Sequence, residues 1–210
     1  MIVAVFGSTG KAGQEVLHQA LSRAYTVIVY ARNPSKIELK HEALSVVRGQ
    51  LADAALLEKA ITSADCVISL LGPSSSVHDT ALSDGVKNII ATMERVGVQR
   101  LIQVVTLSVT DPNDGKDLRF ALMVGLVKRL LPGSYAEIVR IGQAVRASKL
   151  DWTLVRVPLL NDKPQTRNVH VGYLGQGIVR TAVSRADVAW FMLEQADKEE
   201  YLRKGPAISN

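Results

Sequence analysis

Five consecutive apolar residues, Ile2–Phe6, stand at the start of the chain. A run of that length closed by glycine predicts a strand buried on both faces. Beyond the stretch Gly7–Gly13 the period changes. Ala12, Val16, Leu17, Ala20 and Leu21 then fall on one face of an amphipathic helix. The same alternation runs on. Strands are predicted at Tyr25–Tyr30, Leu44–Arg48, Cys66–Leu71, Arg100–Thr106 and Trp152–Val157. Helices are predicted at Ala54–Ile61, where Asp53 is the N-cap, and at Thr80–Val96, where Leu82, Val86, Ile89, Ile90 and Met93 form the buried face.

The second half is less regular. Leu118–Leu131 is apolar enough to be a covering helix, either a wall of a substrate pocket or plain core. Pro132-Gly133 breaks it, and Ser134-x-x-Glu137 reads as a capping box opening the next helix, to about Lys149. Val169–Val171 and Ile178–Arg180 read as short strands. Ser184-Arg185-Ala186-Asp187 caps a last helix through about Ala196. Strands alternating with helices predict an α/β chain with a doubly wound parallel sheet of the Rossmann type, a single domain over residues 1–210. Pocket insertions are expected at about 109–133 and 158–180.

Composition narrows the class. At 210 residues one substantial core is expected, and no apolar run is long enough to span a bilayer. The N-terminus lacks the basic flank and cleavage site of a signal peptide. The single cysteine, Cys66, excludes an internal disulfide and a multi-cysteine metal site; it reads as a small core hydrophobe, and a reducing, cytoplasmic setting fits. The net charge of +5 is spread without a basic arm or dense patch. It therefore points to a phosphorylated small ligand rather than to nucleic acid, and neither a membrane nor a metal is expected.

The chemistry begins at Gly7-Ser8-Thr9-Gly10-Lys11-Ala12-Gly13. Strand, glycine turn and helix are the context of a dinucleotide-binding fingerprint. Gly7 turns the chain off the strand, Gly10 admits a pyrophosphate close to the backbone, and Gly13 brings helix onto strand. The helix N-terminus offers free N–H groups to phosphate. The second strand ends at Arg32-Asn33-Pro34-Ser35-Lys36 with no acid to hold a ribose 2′-OH. Arg32 suits a 2′-phosphate, with Ser35 and Lys36 adding donors and charge; Ser35-x-x-Glu38 reads equally as a capping box. Gln50 and Leu51 after the third strand are candidate adenine contacts. Leu71 and Gly72 stand where a cofactor crosses the sheet edge, followed by Ser74, Ser75, Ser76 and His78, the histidine read as a surface residue. Thr106 and Ser108 at the end of the fifth strand are placed on one side by the strand period, where each either holds the nicotinamide and substrate or caps the strand end.

These stations, with Leu70-Leu71-Gly72, WTLVRVP at Trp152–Pro158 and SRADVAWFML from Ser184, cover nearly the whole chain. Their order resembles the NmrA-like atypical short-chain dehydrogenases, and within them the flavin reductase/biliverdin-IXβ reductase family. The resemblance implies a monomer that binds NADP(H), with a shallow pocket for flat redox compounds. It implies cofactor contacts from Gly7, Thr9, Gly10, Lys11, Ala12 and Gly13 in the turn, and from Arg32, Ser35 and Lys36. It implies others from Gln50, Leu51, Leu71, Gly72, Thr106, Pro158 and Leu159. Leu159 stands where that family has histidine, which argues against biliverdin itself as substrate. None of the five tyrosines has a lysine four residues on, so a Tyr–Lys catalytic pair is not expected.

Two readings result. One is an NADPH-dependent reductase of a small planar acceptor such as a flavin or quinone, with Thr106 and Ser108 orienting the reaction. The other is an NADP(H) sensor that reports to a protein partner without turnover.

Overall fold

The computed structural model describes residues 1–73 and 80–210. The apolar runs form β1 (Ile2–Phe6), β2 (Thr26–Ala31), β3 (Leu44–Arg48), β4 (Cys66–Ser69), β5 (Arg100–Thr106) and β6 (Asp151–Val157). Between them lie α1 (Lys11–Ser22), α2 (Ala54–Ile61), α3 (Ala81–Val96), α4 (Leu118–Leu130) and α5 (Pro132–Ala147). The remainder is β7 (Leu159–Asn161), β8 (His170–Gly172), β9 (Ala182–Ser184), α6 (Arg185–Glu194) and β10 (Ala207–Ser209).

Eight strands make one sheet in the order β3-β2-β1-β4-β5-β6-β10-β8. All pairings are parallel except β8 against β10. The continuous apolar runs are explained by burial on both faces. Ala4, Phe6, Val67 and Leu101 meet Leu57, Ile89 and Ile141 of α2, α3 and α5. Val3, Val5, Ile68 and Ile102 meet Val16, Leu17, Val188 and Met192 of α1 and α6. Strand order reverses between β1 and β4, which opens a crevice at the carboxyl ends of these strands.

Several expectations are corrected. Ser35 opens no capped helix: Pro34–Lys36 is a single 3-10 turn, and its cap is Asn33, whose Oδ1 accepts from the Ser35 N–H and hydroxyl. Ser134 and Glu137 form no capping box, because α5 already begins at Pro132 and Glu137 is buried against Ser83 of α3. Residues 178–180 are not a strand; β9 and β10 lie further on, and β7 pairs with β9 outside the main sheet. α4 forms as expected, yet Phe120 is its one fully buried residue.

A buried ion pair holds the segment after β5 in place. Arg156 of β6 is wholly buried and forks onto both Asp114 oxygens, at 2.6 and 2.7 Å. Its Nε donates to the Gly205 carbonyl and Nη1 also to that of Val109. Asp114 further accepts from the backbone N–H groups of Asp111 and Leu174. Burial pushes the Asp114 carboxyl up, but Arg156 and the Asp111 and Leu174 N–H groups together outweigh that and hold it below the usual carboxylate range.

Candidate functional site

The crevice begins at the β1–α1 turn, where each glycine meets a different constraint. Gly7 has φ +80°, and a Cβ there would stand 2.9 Å from the Leu70 carbonyl carbon. A Cβ on Gly13 would stand 2.4 Å from the Gly7 carbonyl oxygen. Both are fixed by the fold itself. Gly10 is not: its φ of −83° suits any residue, and among the described residues a Cβ would meet only the Gly7 oxygen at 3.6 Å. Open space above this glycine is what the close approach of a pyrophosphate needs. α1 also begins with no side-chain cap and no acid in its first turn, so its N–H groups and positive dipole end are uncompensated. The residues fit a dinucleotide phosphate here. Thr9 is half-buried, Gly10 and Lys11 are exposed, and Ala12 is half-buried beside them.

Arg32 follows β2, the neighbour of β1. It is exposed, with no ion pair among the described residues, and so is Lys36. The Gln14 amide reaches the Lys36 carbonyl at 3.5 Å, which draws this turn toward the first turn of α1. The Ser35 hydroxyl is spent on Asn33 at 2.7 Å. Past β3, the Tyr30 hydroxyl donates to the Gln50 carbonyl at 2.7 Å and leaves the Gln50 side chain exposed. Leu51 has a packing task, since its side chain lies against Gly85 of α3, where a Cβ would come within 2.5 Å. Asp53 caps α2 through the Leu56 N–H, as expected.

On the other side of the crevice, the Leu71 carbonyl accepts from the Gln103 amide at 3.0 Å. Gly72 is exposed, and among the described residues a Cβ there would meet Ile138 at 4.0 Å and nothing nearer. Ser74, Ser75, Ser76 and His78 lie outside the described residues. Thr106 is exposed at the end of β5, but Ser108 is not its strand partner. The strand stops at Thr106, Ser108 is buried in the following turn, and its N–H donates to Thr106 Oγ1 at 3.4 Å. The period-2 placement of the two hydroxyls therefore fails, and Thr106 alone faces the open edge. Pro158 is buried and Leu159 is exposed, its N–H held by the Thr181 carbonyl.

Sequence reasoning expected an insertion at about 158–180 but missed the contacts by which its first part closes the outer side. Asp162 accepts from Lys11 Nζ at 2.7 Å and pairs with Arg185 at the start of α6. Lys11, then Arg185, hold its carboxyl below the usual range. Asp187, fully buried, accepts from the Thr166 N–H and hydroxyl, the Arg167 N–H, the Ser184 hydroxyl and the Asn210 amide. Residues 158–168 are thus strapped across the N-termini of α1 and α6. Asp162 and Lys11 are 151 residues apart, and no local pattern announces their pairing.

Burial holds the phenols of Tyr30, Tyr173 and Tyr201 above their ordinary value, so none of these is an activated acid. Burial likewise pushes the Cys66 thiol up to about 12, which makes it inert core. Among the described residues no cluster of histidine, cysteine and acids could hold a metal, and no helix is long and apolar enough to cross a membrane.

The fold is shared with known proteins. A short-chain dehydrogenase/reductase from Veillonella parvula, in complex with NADP, superposes with a TM-score of 0.80 at 21% identity. The match covers 100% of this chain and 94% of that one. An anaerobillin reductase, ChuY, from Escherichia coli superposes with a TM-score of 0.79 at 21% identity, covering 100% and 97%. A curated relative from Streptomyces griseus, (4-alkanoyl-5-oxo-2,5-dihydrofuran-3-yl)methyl phosphate reductase, is 26% identical over 188 residues. That alignment takes in 90% of this chain but spans only 57% of the relative's length. A family described as NAD(P)H-binding matches residues 7–199, from the first glycine of the turn to beyond α6, and the chain belongs to that family.

Proposed function

We propose that the protein is an NADPH-dependent reductase of a small planar acceptor, a flavin, a quinone or a related conjugated ring. The carrying observation is the pairing of an open Gly10 and uncapped α1 with an unpaired Arg32 at the end of β2. A cofactor with phosphates at both places fits NADP(H) better than NAD(H). When bound, that cofactor supplies a hydride. The protein's own part is to hold the dinucleotide along the carboxyl edge, to orient it through the exposed Thr106 hydroxyl, and to exclude water with apolar side chains such as Leu159 and Leu160. No protein acid is needed where the acceptor takes its proton from water. The names of two relatives support the reductase reading: one reduces anaerobillin, and the other a ring whose name describes an alkene conjugated to carbonyls.

NADPH oxidation by the purified protein, measured against a panel of flavins, quinones and cyclic enones, tests this. Turnover above background with at least one acceptor is expected. Tight NADPH binding without oxidation of any acceptor would replace the reductase by the sensor reading.

A further inference from the structure

α4 carries apolar side chains on both sides and buries only one. Phe120 is fully buried, and Met123 and Val124 pack with it against the cluster of Leu107, Leu174 and Val179. Leu118, Leu122, Leu126 and Leu130, each four residues apart, are 57–74% exposed. Four residues advance about 40° around a helix, so this row sweeps roughly a third of the circumference over about 18 Å. It starts opposite Phe120 and sweeps toward the Met123 side by Leu130. A helix that is apolar all round is ordinarily covered all round, and a contiguous exposed apolar patch marks a docking face.

Charge decides the occupant. Lys116 and Arg119 stand at one end of the leucine row, Lys128 and Arg129 at the other. Asp117 is taken by Arg119 at 3.0 Å and Asp114 by Arg156. Neither Lys128 nor Arg129 has a carboxylate partner among the described residues, although Lys128 Nζ lies over the Tyr135 ring, 5.6 Å from its centre. A second copy would set these cations against their own equivalents. One helix row also falls short of the roughly 800 Å² per partner that a stable interface buries. An anionic bilayer meets both demands: leucines enter the headgroup–acyl boundary while cations at each end meet lipid phosphates. We propose that α4 docks the protein on anionic membrane surfaces as a helix lying in the interface. This contact needs no spanning helix. It also does not depend on hydride transfer, because it is read by binding alone.

The test is co-sedimentation with vesicles of phosphatidylcholine alone or mixed with phosphatidylglycerol. Wild type is expected to bind the mixed vesicles at least about tenfold more tightly. Leu122→Ser with Leu126→Ser should lose about tenfold or more on those vesicles while melting like wild type, since both sites are exposed. Lys128→Glu with Arg129→Glu keeps the leucines and should lose the preference for phosphatidylglycerol. Absence of wild-type binding to mixed vesicles, or leucine variants that bind like wild type, overturns the proposal. So does a wild type that elutes as a dimer and a leucine variant that elutes as a monomer, which would assign the face to a second copy.

Discussion

The Glu137 carboxylate of α5 accepts the backbone N–H of Ser83 at 2.5 Å, so one helix caps the N-terminus of another, α3. The second carboxylate oxygen lies 3.1 Å from the Ser83 hydroxyl and 2.8 Å from Arg140. Glu137→Ala leaves a buried N–H without its acceptor, which costs about 1–3 kcal/mol. Urea denaturation should show that loss, and Ser83→Ala, which keeps the backbone donor paired, should lose less. Equal losses would mean that the hydroxyl, not the cap, is the stabilising partner.

Asp114→Asn should be more damaging. It strips the charge from the partner of a wholly buried guanidinium, for which about 3–5 kcal/mol is expected at neutral pH. The folded-state pKa of Asp114 is depressed, so its contribution is complete above the ordinary carboxylate value and fades as pH falls through the folded value. Urea midpoints of wild type and variant should therefore lie far apart at pH 7 and converge in acid. A gap that persists unchanged at the lowest pH the fold tolerates would sink this account.

Two glycines of one turn should separate binding from folding. Gly10→Ala adds a methyl group into open space at an ordinary φ, so stability should hold while NADPH binding weakens tenfold or more, about 1.4 kcal/mol. Gly13→Ala drives a methyl group onto the Gly7 carbonyl and should destabilise by about 1–3 kcal/mol. Calorimetric titration and thermal melts on both variants check the pair. Unchanged NADPH affinity in Gly10→Ala would remove the pyrophosphate from this turn.

Cofactor choice should rest on Arg32. Its loss removes a charge-assisted contact to a 2′-phosphate, worth about 1.5–3 kcal/mol, on the order of tenfold to a hundredfold. Arg32→Ala should weaken NADPH by that factor and leave NADH unchanged. A wild type that binds both equally would refute the assignment.

Asp162 should act in the opposite direction. It occupies Lys11 at the mouth of the phosphate site, so Asp162→Asn should tighten NADPH binding severalfold at low salt. The gain should shrink at about 1 M salt, where charges are screened within roughly 3 Å. Because the carboxyl is held below its usual range, wild type should approach the variant only in acid. No gain at low salt would show that Lys11 does not reach the cofactor.

The central strands and the glycine turn were readable because their causes are local. β1, β2 and β4 are buried on both faces and appear as nearly unbroken apolar runs, whereas the edge strand β3 is half-exposed and β5 and β6 carry polar residues among their apolar ones. β7, β9 and β10 have three residues each, too few to show any period, while β8 was read one residue early, at Val169–Val171. Capping patterns were readable in form only. Ser184-x-x-Asp187 is a true cap, with the hydroxyl accepting from the Asp187 N–H. The similar spacing at Ser134-x-x-Glu137 conceals a carboxylate used 54 residues away. In the candidate site, the sequence pointed to Gly10 and Arg32 through the turn and the missing acid, and the structure leaves the first open and the second exposed. The Lys11–Asp162 pair and the turn that takes Ser108 out of register arise from tertiary placement. α4 shows the same limit, since its leucines announce an apolar helix without saying which side is covered.

The place of β10 sets an order of events during synthesis. It lies between β6 and β8, so β8 reaches the sheet only through a strand made from residues 207–209. The Arg180 N–H waits on Ser209, and the Ser184 N–H on Asn210. On a ribosome, the glycine turn and its neighbours β1, β2 and β4 emerge early and pair with one another. The strap that holds Asp162 over Lys11 has no settled footing until residues 207–210 have joined the sheet. The turn at Gly7–Gly13 thus takes shape on a nascent chain before residues 158–168 cross it, and the strap folds onto a surface already made.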